Sequence, residues 1–233
     1  MNPTRRQISD ATAVLGWRLV LGALHAQVRV TSLAEAADVA ALVADGCPDA
    51  PGQLSLDLRA DRVLLALQSQ ADGRVTDRDL ELARGLAAAL QAAGRALEPG
   101  GAGLQAFEIA IDALDIAAVR PFWKAVTGYT DACSSADLHR GLIDPAGRGP
   151  AIWFQQMDSP RPHGGQERSD PGNQPRNRIH IDVDVPHDVA AERIAAALAA
   201  GGVLLSDHAA PAFWVLADAE GNEACVCTWQ GRD

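Results

Sequence analysis

The chain of 233 residues is poor in several residue types that mark common functional classes. Lysine occurs once, at Lys124, and 20 Lys and Arg residues face 30 Asp and Glu, a formal net charge of -10. An acidic protein repels phosphate backbones and anionic headgroups, so nucleic acid and membrane surfaces are not expected as partners. No apolar run approaches the ~18 residues that a membrane-spanning helix needs. The opening segment Met1-Asn2-Pro3-Thr4-Arg5-Arg6 lacks the apolar stretch and small-residue cleavage site of a signal peptide, so a cytoplasmic location is expected. The four cysteines, Cys47, Cys133, Cys225 and Cys227, contain no C-x-x-C pair, which argues against a zinc knuckle or a disulfide framework. Hydrophobic residues nonetheless make up 48%, enough for packed cores, and the length suits two domains of about 100 residues each.

Punctuation divides the chain. Leu97-Glu98-Pro99-Gly100-Gly101-Ala102-Gly103 separates a helical pattern from a strand pattern, and predicts a first domain over 1–96, a linker over 97–103 and a second domain over 104–233. In the first domain, Ser32-Leu33-Ala34-Glu35 reads as a capping box opening a helix to about Ala44. Thr76-Asp77-Arg78-Asp79 caps a second helix to about Ala93. Strand-like runs at 17–21, 25–30, 53–59 and 62–70 give the order strand, strand, helix, strand, strand, helix.

The second domain contains a repeat. An alternating strand at 107–112 precedes a helix at 116–126 that ends at Gly128; another at 179–185 precedes a helix at 189–200 that ends at Gly201-Gly202. Each unit closes with a turn and a strand, Asp144-Pro145-Ala146-Gly147 before 151–157 and Asp218-Ala219-Glu220-Gly221-Asn222 before 224–229. Two such units in tandem imply two similar half-sheets. The segment 158–177, rich in Pro, Gly and polar residues, reads as a solvated connector, with a lid as the alternative. His180, Asp182 and Asp184 alternate with Ile179, Ile181, Val183 and Val185; Glu108, Ala110 and Asp112 alternate with Phe107, Ile109 and Ile111. Each strand therefore turns polar residues to one side, toward a polar cavity or solvent, and apolar residues to the side its helix covers.

From about 104 to 230 the chain resembles the vicinal oxygen chelate superfamily, the glyoxalase/bleomycin-resistance group. The carrying residues are Asp115, Phe122-Trp123 and Gly128 in the first unit. In the second they are Asn177-Arg178-Ile179-His180-Ile181-Asp182 and Trp214-Val215-Leu216-Ala217-Asp218-Ala219-Glu220-Gly221-Asn222-Glu223. The resemblance implies paired βαβββ units and a pocket in each cupped sheet, often with a divalent metal held by residues on the first and last strands. Glu108 and His180 hold the first-strand places, with a register between the units open by one residue; Gln155 and Cys225, with Glu223 as a substitute, hold the last-strand places. Such a set suits Fe, Mn, Zn or Ni. Trp153, Gln155, Asp182, Trp214 and Cys225 are further candidates for lining a ligand pocket. Cys225 and Cys227, on one strand face, fit buried small hydrophobes rather than nucleophiles.

The stretch 16–93 resembles pterin-4a-carbinolamine dehydratase, through Gly16-Trp17, Gly46-Cys47-Pro48-Asp49 and Gly73-Arg74-Val75-Thr76-Asp77-Arg78-Asp79 before Leu82-Ala83. Where that family carries proton-moving histidines, this chain has Gly46-Cys47-Pro48 and Ser69-Gln70. The expected fold class is α+β, a dehydratase-like αβ domain followed by a paired βαβββ glyoxalase-like domain. Two functions compete. One is a vicinal-oxygen-chelate enzyme (lyase, isomerase or dioxygenase) with Glu108 and His180 as metal ligands or as an acid/base pair. The other is a metal-free protein that sequesters a small molecule between Trp153, Trp214 and Gln155. Dehydratase action ranks third. The resemblances also imply a homodimer.

Overall fold

The computed structural model describes residues 3–47, 52–99, 104–132, 141–158 and 180–232. Most of the expected connector at 158–177 lies outside these residues, as do Pro48, the linker residues 100–103, Cys133 and Asn177-Arg178-Ile179. The described chain is α+β and divides into two compact units, with the boundary along the sequence between Phe107 and Glu108.

The first unit contains α1 (Arg5–Ala13), β1 (Arg18–Val20), β2 (Ala23–Arg29), α2 (Leu33–Asp45), β3 (Leu54–Leu58), β4 (Arg62–Leu67) and α3 (Asp77–Ala92). Its antiparallel sheet has the order β1-β2-β4-β3. The sequence pattern does not anticipate α1, because only Ile8 and Thr12 of its nine residues are buried; the helix begins on a reciprocal Thr4/Gln7 capping box. Along β2, Leu24, Ala26 and Val28 enter the core with Trp17, Leu65, Leu67, Leu86 and Leu90, while His25, Gln27 and Arg29 face the other way. The Trp17 indole N–H, inside that core, donates to the Ala83 carbonyl at 3.2 Å.

Both expected helix starts are present, in different forms. Thr76 and Asp79 make the reciprocal box, with the Asp79 carboxylate fully buried and accepting from the Thr76 amide and hydroxyl at 2.7 Å each. At α2 the Ser32 hydroxyl accepts from the Glu35 amide, but the Glu35 carboxylate bypasses Ser32 and accepts from the amide and hydroxyl of Thr31. Beyond α3, Glu98 exchanges main-chain hydrogen bonds of 2.8 Å with Gln27, so this residue extends the sheet edge that β1 begins.

The second unit repeats one topology twice. The first module comprises β5 (Glu108–Ala113), α4 (Ile116–Thr127), β6 (Thr130–Asp131), β7 (Leu142–Ile143) and β8 (Ala151–Gln156). The second comprises β9 (Ile181–Asp184), α5 (Ala190–Ala199), β10 (Val203–Ser206), β11 (Phe213–Ala217) and β12 (Glu223–Cys227). The sheets run β5-β8-β7-β6 and β9-β12-β11-β10, and in each the first strand lies parallel to the last. A parallel neighbour requires a crossover, which the intervening helix supplies. One apolar core serves both modules: Ile111, Phe122, Trp123, Ile152 and Phe154 from the first join Ala197, Leu216 and Val226 from the second. Phe107, expected on the helix side of its strand, precedes β5 instead and is 72% exposed.

Polar groups tie the modules together. At the turn before β12, the buried Asp218 carboxylate accepts from the Trp123 indole at 2.9 Å and from the Glu220 amide, the Asn222 amide and the Asn222 side chain. Glu220 reaches the first module and accepts from the amides of Leu114 and Asp115 at 2.9 and 2.7 Å, at the start of α4. At the other end of α4, Gly128 closes the helix with φ +73°, and Arg193 of α5 donates to the Val126 carbonyl. A side chain at Gly128 would be strained and would press on the Arg193 guanidinium. Among the described residues no helix is long and apolar enough to cross a membrane.

Candidate functional site

Strand parity sorts the candidates. In the second module Leu216, Ala224 and Val226 are buried on the helix side of the sheet, with Ile181 packed against them. The paired positions Asp182–Cys225 and Asp184–Cys227 turn to the open side. In the first module Ile111, Ile152 and Phe154 face the helix, while Glu108, Ala110 and Asp112 share the open face with Trp153 and Gln155. Glu108 and the His180–Asp182 pair thus lie on the open faces of their own sheets. The one-residue ambiguity between the units does not change that placement.

Three of the predicted residues come together. The donor atoms of His180, Asp182 and Cys225 lie within 4.8 Å of one another, and His180 Nε2 stands 3.4 Å from an Asp182 carboxylate oxygen. The first two are exposed, whereas Cys225 is buried. Backbone register produces the cluster, since Asp182 and Cys225 are paired across β9 and β12 and His180 stands two residues before Asp182. Burial, then the Asp182 carboxylate, push the Cys225 thiol up to about 11, and burial also raises Cys227. Without a cation Cys225 is therefore a protonated, unreactive thiol at neutral pH.

The donor set fits a metal ion. Around a tetrahedral zinc with bonds of ~2.0–2.3 Å, ligand atoms stand about 3.3–3.8 Å apart, a spacing inside the 4.8 Å that bounds this cluster. An imidazole, a carboxylate and a thiolate together favour a borderline cation. Three protein donors leave one coordination position open.

The other expected site residues are placed differently. Glu108, expected to be a ligand beside His180, is outside the cluster; it begins β5 in the first module's sheet, paired with Ala151. The carboxylate in the cluster is that of Asp182. Trp153 is 36% exposed on the open face of β8, and Gln155 stands beside Asp112 on that face with its amide 3.7 Å from the Met157 sulfur. Trp214 belongs to neither group: its position opposite Val226 puts it on the helix side, packed against the core. Sequence reading also missed the work of Asp218 and Glu220. Their turn stood out as a motif, but nothing local shows that its carboxylates reach another helix.

Both βαβββ modules fall within one match: the profile of the glyoxalase-like domain family covers residues 108–227, just over half the chain. The chain belongs to the glyoxalase-like domain family. That group sits within the vicinal oxygen chelate superfamily, whose members often bind metals, and the His180–Asp182–Cys225 cluster is a set able to hold one. No curated protein matches the chain. Several solved structures are similar. A glyoxalase/bleomycin resistance protein/dioxygenase family enzyme from Burkholderia phytofirmans PsJN is 20% identical, with 52% of this chain and 95% of that one covered and a TM-score of 0.37. A glyoxalase/dioxygenase from Nostoc punctiforme is 14% identical, with 56% and 93% covered and a TM-score of 0.40. A transcriptional coactivator/pterin dehydratase from Brucella Melitensis is 21% identical, with 38% and 98% covered and a TM-score of 0.35.

Proposed function

We propose that the glyoxalase-like unit is a metal-dependent enzyme acting on small oxygen-bearing molecules, by lyase, isomerase or dioxygenase chemistry. His180, Asp182 and Cys225 hold a divalent cation of the zinc class in this reading. The observation that carries it is the convergence of those three donor atoms within 4.8 Å on one open sheet face. A cation bound there would polarise substrate oxygens. His180 and Asp182, both exposed, leave the cluster open to a substrate, while buried Cys225 anchors it to the sheet. Glu108, an exposed carboxylate outside the cluster, is assigned the proton acceptor for a carbon next to a carbonyl.

Deuterium exchange tests this reading. Zinc-loaded protein is incubated with hydroxyacetone in D2O, and exchange at the carbon beside the carbonyl is followed by NMR. Acceleration by the wild type that falls at least tenfold in Glu108→Gln supports the proposal. No acceleration over buffer, or equal acceleration by the variant, removes the proton-transfer role.

A second reading rests on the same face of the first module. Trp153 and Gln155, with a protonated Cys225 thiol in the second, suit a protein that sequesters a small ring compound without a metal. In that case Trp153 fluorescence responds to such compounds in chelator-treated protein, and Trp153→Ala abolishes the response.

A further inference from the structure

The first unit carries a cavity of about 540 Å³ on the sheet face that its helices leave open. Its volume is that of a small-molecule site. Strand alternation builds the floor: His25 and Gln27, two apart on β2, project into it beside Leu64 of β4. Arg59, Arg62 and Leu104 complete the lining. Neither Cys47 nor Ser69-Gln70, where the dehydratase resemblance would put its chemistry, is part of this lining.

The polarity of the floor is one-sided. Gln27 is 5% exposed; its amide nitrogen approaches the Glu98 carboxylate at 3.4 Å, and its Oε1 meets no hydrogen-bond donor among the described residues. A buried amide oxygen left in that state loses the hydrogen bonds it would make to water, so the site favours a molecule that donates to it. His25 adds a second acceptor. Burial lowers its pKa, which favours the neutral ring, and a neutral imidazole keeps one nitrogen able to accept a hydrogen bond. The arginines do not make the cavity an anion site, because Arg59 pairs with Asp57 at 2.7 Å and Arg62 pairs with Asp61. Residues two apart on a strand are about 6.6 Å apart, a separation that two diverging N–H groups of one small ring can bridge. Leu64, 37% exposed, offers apolar area for the ring itself.

We infer that this cavity is a second ligand site, independent of the glyoxalase-like unit, for an uncharged planar ring compound that presents two N–H donors to Gln27 and His25. Benzimidazol-2-one is the probe: a neutral cyclic urea with two diverging N–H groups. Its 1,3-dimethyl derivative keeps the ring and carbonyl but has no donor.

The full-length chain, labelled with ¹⁵N, is titrated with each compound and followed through its amide resonances. Saturable shifts at Gln27, including its side-chain amide, and at His25 and Leu64 are expected with benzimidazol-2-one. The dimethyl compound should bind at least tenfold more weakly, and Gln27→Leu should abolish the shifts while resonances of the second unit are unchanged. Undisturbed resonances at these residues, meaning that water alone serves Gln27, would overturn the inference. So would equal binding of the two compounds to the wild type, a comparison that needs no variant to fold.

Discussion

Asp218 gathers four donors from three residues on one buried carboxylate: the Trp123 indole, the amides of Glu220 and Asn222, and the Asn222 side chain. Hydrogen bonds to a charged group contribute about 1.5–3 kcal/mol, and removing the acceptor leaves buried donors unpaired. Asp218→Ala should therefore cost the second unit about 3 kcal/mol or more, read as a lower urea midpoint by circular dichroism. Trp123→Phe, which removes one donor and keeps most of the packing, should cost about 1–2 kcal/mol. Cys225 allows a second check at this scale. A buried thiol held up at about 11 is almost wholly protonated at pH 7.5. Iodoacetamide should then modify Cys225 in metal-free native protein at least 100-fold more slowly than after unfolding, as measured by peptide mass spectrometry. At residue scale the sequence was legible wherever chemistry is local: the caps at Ser32 and Thr76 and the shared, buried face of Cys225 and Cys227. It was silent where a side chain acts at long range, as Glu220 does on amides 105 and 106 residues away.

The elements show the same division. Alternation placed His180, Asp182 and Glu108 on the open faces of β9 and β5, because period two survives any uncertainty in strand ends. It could not sort Trp214, a large apolar residue that either face accepts, and only pairing with Val226 puts it in the core. Two-residue strands such as β6 and β7 are too short to leave a periodic trace, and α1 buries too little to show one. Helix α2 gives a prediction that belongs to an element. Hydrogen bonds from Thr31 and the Arg95 guanidinium hold the Glu35 carboxyl at about 2, below its usual 4.5. A carboxylate with a depressed folded-state pKa stabilises the protein above the unfolded value, and that contribution is lost as pH falls through the folded one. The stability advantage of wild type over Glu35→Gln should be full at pH 5 and above and vanish as pH falls from about 4.5 to 2. An advantage that persists unchanged at pH 2 would show that the Glu35 charge is not what holds this end of α2.

At the scale of the whole molecule, two separate apolar cores underlie two compact units. A lesion in one core should then spare the other. In hydrogen exchange on the full chain, Leu216→Ala, a fully buried site, should cost the second unit about 2–5 kcal/mol and leave protection in β2 and β4 unchanged. The doubled βαβββ order was visible in the sequence because each module repeats the same strand, helix and turn chemistry. The donor cluster was only half visible, because the repeat directs attention to equivalent positions in both modules, Glu108 and His180. The cluster instead forms within the second module alone, through the parallel pairing of β9 with β12. The most direct measurement is metal content after incubation with zinc and dialysis, on protein without a histidine tag. The account predicts close to one zinc per chain, reduced at least tenfold in Cys225→Ser and in Asp182→Asn and unchanged in Glu108→Gln. A wild type that retains no zinc, or a content that Cys225→Ser and Asp182→Asn leave intact, would contradict it.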